Sequence, residues 1–64
     1  MSLKHKIAYW RAKRNMSQRE LADKIGVSQA ALAKWETGQS KPTLDNAVQL
    51  AGALDVLLTD LFDP

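Results

Sequence analysis

The sequence predicts a single all-α domain, a compact bundle of five short helices that occupies residues 1–64. Two observations indicate this fold class. Apolar residues recur at three- and four-residue spacings, and Ser17, Ser28 and Thr43 stand immediately before such segments, where helix N-caps are needed. A chain of 64 residues is near the lower size limit for a domain that folds alone, so every helix must contribute to one core.

Composition excludes several classes of function. The chain has no cysteine, so disulfides and thiolate metal sites are impossible, and His5 is its only histidine. The residues offer no catalytic constellation, and we therefore expect no enzyme activity, no metal and no cofactor. No segment approaches the roughly 18 consecutive apolar residues of a membrane span. We expect a cytoplasmic protein with no membrane partner.

Charge is distributed unevenly along the chain, although the formal net charge is only +2. Residues 1–34 carry eight basic and two acidic side chains, whereas residues 35–64 carry one basic and five acidic ones. The first half would attract a polyanion such as double-stranded DNA, and the second half would repel it.

The first three helices are predicted from apolar spacing and from their end signals. Helix 1 should end near Asn15, which tolerates a left-handed backbone. A capping box of Ser17 and Glu20 begins helix 2, and Gly26 can end it. Helix 3 then runs over about residues 29–36. The apolar residues that these helices should bury are Leu3, Ile7, Trp10, Leu21, Ala22, Ile25, Leu32 and Trp35.

Residues 18–37 resemble the helix-turn-helix of the lambda-repressor and Cro family, the XRE-type transcriptional regulators of bacteria and phages. The matching positions are Gln18, Ala22, Gly26, Val27, Leu32 and Trp35. The segment that follows also matches the family pattern, at Trp35, Glu36, Gly38 and Pro42. The resemblance extends from Leu3 to Phe62. It implies a lambda-repressor-like domain that binds double-stranded DNA on the nucleoid and represses transcription.

The resemblance assigns DNA contacts to particular residues. Helix 3 becomes the recognition helix, with base-reading positions at Gln29, Ala30, Ala31 and Lys34. Phosphate contacts are assigned to Gln18, Ser28, Ser40 and Lys41. Glutamine can pair with adenine and lysine can donate to guanine, but alanine offers only a methyl contact. Because family members often carry polar residues where this chain has alanines, the reading surface is sparse. We therefore expect two copies on a pseudo-palindromic operator, extra selectivity from DNA shape, or only modest selectivity.

Two further structural contacts are expected. By resemblance, Arg11 pairs with Glu36 and fastens helix 1 to the end of helix 3. Leu57 stands where the family prefers a serine-like cap, so an exposed apolar side chain is predicted there. With Val56 beside it, Leu57 is the predicted contact of a weak homodimer, which we expect to form on DNA.

The C-terminal part predicts two more helices. Thr43 caps helix 4, whose predicted buried stripe comprises Leu44, Ala47, Val48, Ala51 and Leu54. Gly52 interrupts this helix and suggests a close packing approach. Asp55 stands where the family has a terminating glycine, and aspartate tolerates the left-handed region. Helix 5 should close the core through Leu58, Leu61 and Phe62.

Two alternatives remain open at this stage. One is an antitoxin of a toxin–antitoxin pair, although no toxin-wrapping segment is visible. The other is a helix-turn-helix fold used only for protein interaction, which the alanines of helix 3 would favour. Salt-dependent binding to DNA would distinguish the regulator from the interaction module, and co-purification of a small partner would support the antitoxin.

Overall fold

A computed structural model describes residues 4–63, with side chains for residues 6–62. The helices over this range are α1 (Ile7–Lys13), α2 (Gln18–Ile25), α3 (Gln29–Thr37), α4 (Leu44–Leu54) and α5 (Leu58–Leu61). Two short strands, β1 (Lys4–His5) and β2 (Phe62–Asp63), pair antiparallel. The predicted five-helix, all-α fold class is confirmed. Over the range described, every helix is too short or too polar to cross a membrane.

The predicted N-caps are confirmed at three helices. The Ser17 hydroxyl accepts a hydrogen bond from the Glu20 amide at 3.0 Å, and the Glu20 carboxylate accepts one from the Ser17 amide at 2.9 Å. This reciprocal pair is the capping box expected before α2. The hydroxyls of Ser28 and Thr43 accept equivalent bonds, at 3.1 and 3.2 Å, from the backbone three residues further on.

The helix ends follow the predicted backbone conformations. Gly26 and Gly38 have φ values of 76° and 81°, which a residue without a Cβ adopts without strain. Asn15 and Asp55 also have positive φ values, 56° and 57°, at the ends of α1 and α4. These four turns separate the helices over short distances, so the chain folds back on itself repeatedly and closes one core.

That core draws on every helix. Its buried apolar members are Ile7, Leu21, Ala22, Ile25, Leu32, Trp35, Ala47, Leu50, Ala51, Leu54 and Leu61. Helix α2 packs against both α3 and α4 and so lies at the centre of the bundle. Burying a Leu or Ile side chain contributes about 1.5 to 3 kcal/mol, and six large side chains are almost completely buried.

Helix 1 begins later than predicted. Leu3 lies outside the described residues, and Lys4–His5 form a strand rather than a helical turn. The strand pairs with Phe62–Asp63, and the amide of Lys6 donates to a carbonyl of α5 at 2.6 Å. Because the end of the chain supplies these hydrogen bonds, the helix starts at Ile7 and Phe62 leaves the predicted fifth helix.

Helix α4 is rotated relative to the prediction. Leu44 and Val48 are 71% and 53% exposed, whereas Leu50, which was not assigned to the core, is completely buried. The stripe that faces the core is Ala47, Leu50, Ala51 and Leu54. Successive residues turn by about 100°, so this stripe leaves Leu44 and Val48 on the outer flank. A Cβ at Gly52 would meet nothing within 4 Å, and the expected close approach is therefore absent.

Candidate nucleic-acid interface

The exposed side of α3 is fixed by two buried anchors. Leu32 and Trp35 are 0% and 6% exposed, and they determine how the helix is rotated on the core. The opposite side presents Gln29, Ala30 and Lys34 to solvent near the start of the helix. These residues are three of the four predicted base-reading positions.

The fourth position, Ala31, is placed differently from the prediction. Its side chain is half-buried and packs against the core. One residue advances an α-helix by about 100°, which carries Ala31 from the exposed side at Ala30 toward the buried side at Leu32. The exposed reading surface is therefore narrower than expected.

A chain of polar contacts runs from α1 to the start of α3. Arg11 binds Glu36 in a two-pronged arrangement, with Nε to Oε2 at 2.7 Å and Nη2 to Oε1 at 3.0 Å. The amide nitrogen of Gln18 donates to the same Oε1 at 2.9 Å. Gln29 Nε2 in turn donates to the Gln18 amide oxygen at 3.5 Å. Glu36 thus positions Gln18, whose amide oxygen makes a long, solvent-exposed contact with Gln29.

The ion pair at the start of this chain is well shielded from solvent. The Arg11 and Glu36 side chains are 20% and 6% exposed. Arg11 also donates from Nη1 to the carbonyl of Met16 at 2.9 Å, so it ties α1 to the approach of α2 as well as to α3. The hydrogen bond with Glu36, assisted by the opposite charge, raises the pKa of Arg11 despite its partial burial.

Three of the four predicted phosphate contacts lie on exposed positions. Ser28 is the N-cap of α3, and its hydroxyl, which accepts a backbone hydrogen bond, can still donate through its own O–H. Ser40 and Lys41 are exposed in the loop after Gly38. The fourth, Gln18, is half-buried, and one N–H of its side-chain amide is committed to Glu36. The second N–H of that amide is the one available to a phosphate.

The basic residues around α3 are accessible to a polyanion. Arg19, Lys24, Lys34 and Lys41 are all exposed, on α2, on α3 and in the loop that follows. The carboxylate of Glu20 accepts backbone and hydroxyl hydrogen bonds from Ser17, which lower its pKa. Its negative charge lies at the positive end of α2, where it is stabilised locally.

The two residues predicted as a dimer contact have different environments. Leu57 is 69% exposed, as expected for an apolar residue in a cap position. Val56 is half-buried and packs against the core. Leu57 is therefore the accessible apolar side chain of the α4–α5 turn, whereas Val56 packs against the core.

Several structural contacts were missing from the sequence interpretation: the hydrogen bonds that Gln18 and Trp10 donate to Glu36 and to the carbonyl of Asp60, at 2.9 and 3.0 Å, and two further contacts. The first is the hydrogen bond between Gln18 and Gln29, for which the available signal was that each residue opens its helix. The second involves Arg14, whose Nε and Nη2 donate to the carbonyls of Leu54 and Asp55 at 2.8 and 3.3 Å. Arg14, a cation near the C-terminus of α1, thus also hydrogen-bonds the carbonyl groups at the C-terminal end of α4. Among the described residues, no group of three His, Cys, Asp or Glu side chains is placed to hold a metal ion.

Two capped helices joined at a left-handed glycine, with the second presenting polar and basic residues, define the helix-turn-helix class of regulators rather than an enzyme. The family model described as helix-turn-helix matches residues 7–61. The chain belongs to this family, and the resemblance to XRE-type, lambda-repressor-like regulators is confirmed.

Relatives and solved structures of similar sequence are named as regulators. The chain is 36% identical over 61 residues to the cryptic phage CTXphi transcriptional repressor RstR of Vibrio cholerae, covering 95% of this chain and 54% of that protein. It thus spans about half the length of that repressor. An uncharacterized HTH-type transcriptional regulator of Methanocaldococcus jannaschii is 37% identical over 60 residues, covering 94% of this chain and 91% of that protein. The restriction-modification controller protein C.AhdI from Aeromonas hydrophila is similar in structure, with a TM-score of 0.85 and 32% identity over 89% of this chain and 86% of that one.

Proposed function

We propose that this protein is a sequence-specific transcriptional regulator that binds double-stranded DNA, and that it acts as a repressor on a pseudo-palindromic operator. The observation that carries the proposal is the exposed start of α3. There Gln29 and, five residues later, Lys34 are both exposed, and Gln29 Nε2 lies 3.5 Å from the Gln18 amide oxygen. Glutamine and lysine side chains can both hydrogen-bond base edges in the major groove.

The residues divide into base-reading and positioning groups. In the proposal, Gln29, Ala30 and Lys34 meet base edges in the major groove, with Ala31 at the margin. Gln18, Ser28, Ser40 and Lys41 contact phosphates, which fix the register of the helix and carry no sequence information. Both groups include exposed residues whose side chains can donate hydrogen bonds, so both can contact DNA.

The sparse reading surface supports a dimeric regulator. One good bidentate contact contributes about 1 to 3 kcal/mol of discrimination, whereas a specific site is separated from bulk DNA by about 4 to 10 kcal/mol. Two copies with recognition helices about 34 Å apart would double the number of contacts. We propose that Leu57 forms the contact between them, and that the small apolar area limits it to a weak association that DNA stabilises. Such a protein would act in the cytoplasm, on the nucleoid.

A selection of bound duplexes from a random DNA pool tests the proposal. We expect enrichment of a pseudo-palindrome whose half-sites are about 10 base pairs apart. Fluorescence anisotropy at several salt concentrations should then show tighter binding to the selected duplex than to a shuffled duplex of equal composition. It should also show a linear fall in log affinity with log salt for both.

The outcome also distinguishes the alternatives. A protein-interaction module would show no salt-dependent binding to either duplex. An antitoxin would co-purify with a small partner from its native host. The family membership favours the regulator over the interaction module, and the similarity to RstR, a transcriptional repressor, favours repression.

A further inference from the structure

The outer side of α1 carries an exposed aromatic ring between two lysines. Tyr9 is 52% exposed. The ammonium groups of Lys6 and Lys13 lie 5.9 and 5.6 Å from the centre of its ring, within the range of cation–π attraction. The ring also meets the edge of Trp10, with the two ring centres 5.2 Å apart. We call Lys6, Tyr9 and Lys13 the Tyr9 surface.

This surface lies on the side of α1 that faces away from the core. Ile7 is completely buried and marks the side of α1 that faces the core. Tyr9 follows it by two residues, about 200° of helical rotation, and so points away from the core. No acidic residue lies within α1, and Lys13 adds an exposed positive charge to the surface at the end of this helix.

The outer side of α4 carries the opposite chemistry. Leu44 and Val48 are exposed one helical turn apart, and Asp45 lies beside them, also exposed. Gly52 continues the line of Leu44 and Val48, with open space above it. No basic residue follows Lys41 in the sequence, and Asp45 forms no ion pair with the other described side chains. We call Leu44, Asp45 and Val48 the Leu44 surface.

A helix that is apolar on nearly every side is normally covered on every side. Within α4 only Asp45, Asn46 and Gln49 are polar, yet the Leu44 surface is left uncovered in the single chain. The chain itself offers a complementary surface, because the Tyr9 surface supplies an aromatic ring for the apolar side chains and ammonium groups for the carboxylate.

We propose that the Tyr9 surface of one molecule binds the Leu44 surface of a second copy, in a head-to-tail contact. The ring of Tyr9 packs on Leu44 and Val48, and Lys13 pairs with Asp45 of the neighbouring copy. Gly52 leaves room for the approach of α1, because nothing projects from the helix at that position.

The spacings of the two surfaces agree with this contact. Tyr9 and Lys13 are four residues apart, about 6 Å along α1. Asp45 and Val48 are three residues apart, about 4.5 Å along α4. If the helices lie antiparallel, Lys13 meets Asp45 while Tyr9 meets Val48.

The contact differs in kind from the two-fold dimer proposed above. It joins two different surfaces, so each molecule keeps one free surface of each type and further copies can add in a row. On DNA this would favour the filling of neighbouring sites by successive molecules. In solution the small area predicts only a weak, salt-sensitive association. It needs no DNA, so its test is independent of the proposed function.

A dilution series followed by ¹⁵N–¹H NMR at low salt tests the contact on the native chain. We expect amide shifts that change between roughly 0.1 and 1 mM protein and that map to both surfaces at once, around Tyr9 and Lys13 on α1 and around Leu44 and Val48 on α4. At high salt the changes should shrink. An absence of concentration-dependent shifts would overturn the proposal. So would shifts confined to one surface or to Leu57, because these indicate a two-fold contact.

A charge swap provides the second arm of the test. Lys13→Glu alone and Asp45→Lys alone should each weaken association by roughly threefold or more, and the double variant should return it to within about twofold of the native chain. Lys24→Glu, the same charge change at an exposed position of α2, is the matched control and should have a smaller effect. Tyr9→Ala, which alters no charge, should also weaken association. Failure of the double variant to recover, with all chains folded, would contradict the pairing.

Discussion

The ion pair between Arg11 and Glu36 is the contact whose removal should affect the fold most. In Arg11→Met, the carboxylate of Glu36 keeps the hydrogen bond from Gln18 but loses both bonds from the guanidinium, at 2.7 and 3.0 Å. The carbonyl of Met16 also loses the donor that reaches it at 2.9 Å. The change therefore leaves a negative charge in a site where solvent barely reaches it.

The expected loss of folding free energy in each variant follows from the unequal exposure of the two side chains. Removing one partner of a deeply buried pair costs about 3 to 5 kcal/mol. Glu36 is 6% exposed and Arg11 is 20% exposed, so water reaches the arginine more easily than the glutamate. We expect Arg11→Met to cost about 3 kcal/mol and Glu36→Gln to cost less, about 1 to 2 kcal/mol, because the neutral amide can still accept from Arg11.

Thermal unfolding followed by circular dichroism measures both values. In a domain of this size 1 kcal/mol corresponds to about 4 to 8 °C in Tm, so Arg11→Met should lower Tm by roughly 12 °C or more. Arg19→Met is the matched control, since Arg19 is exposed on α2, and it should change stability by less than about 0.5 kcal/mol. If Arg11→Met and Arg19→Met have equal small effects, the pair is a surface contact and the reasoning fails.

Three further outcomes are expected. Lys41→Ala should weaken binding to selected and shuffled DNA alike and reduce the slope of log affinity against log salt by about one, as measured by anisotropy titration; an unchanged slope would contradict the phosphate contact. Leu57→Asp should weaken cooperative filling of two half-sites in band-shift titrations while the fold persists; cooperativity equal to that of the native chain would exclude this contact. The lowered pKa of Glu20 means that its carboxylate stabilises the folded chain above the ordinary pKa and that this contribution is lost as the pH falls through the folded pKa. Acid titration of Glu20→Gln should therefore show a shallower loss of stability than the native chain, and identical curves would be the contrary result.

Local signals predicted the helix boundaries well because hydrogen bonds to near neighbours determine them. Ser17, Ser28 and Thr43 cap the helices that they were expected to cap, and Gly26 and Gly38 end theirs. Each of these features depends on the conformation of a few consecutive residues, which the sequence specifies directly. The buried anchors Leu32 and Trp35 also placed Gln29, Ala30 and Lys34 on the outward side of α3 as predicted, but not Ala31, which is half-buried.

The errors concern contacts between distant parts of the chain. Lys4–His5 form a strand because Phe62–Asp63 lie alongside them, about 58 residues later, and no local pattern indicates that pairing. In α4 a nearly continuous apolar sequence fits more than one rotation on the core. The bundle selects the rotation that buries Leu50 and exposes Val48. Hydrophobic periodicity could not distinguish this rotation of α4 from the predicted one.

Part of the candidate site was equally hard to predict. The resemblance assigned Gln18 to a phosphate, but the side chain also binds Glu36 and Gln29. These partners lie 18 and 11 residues away, at opposite ends of α3, and they reach Gln18 only because α2 packs against α3. The sequence therefore predicted which of these residues are exposed better than it predicted which contacts hold them in place.

The central claim is that α3 reads DNA bases through Gln29. Parallel selections from one random duplex pool, with the native chain and with Gln29→Ala, test it most directly. We expect the variant to lose preference at one base position in each half-site, a loss of about 1 to 3 kcal/mol of discrimination, while its affinity for random DNA stays unchanged. An equal loss of affinity for selected and random DNA, with base preferences unchanged, would contradict the claim.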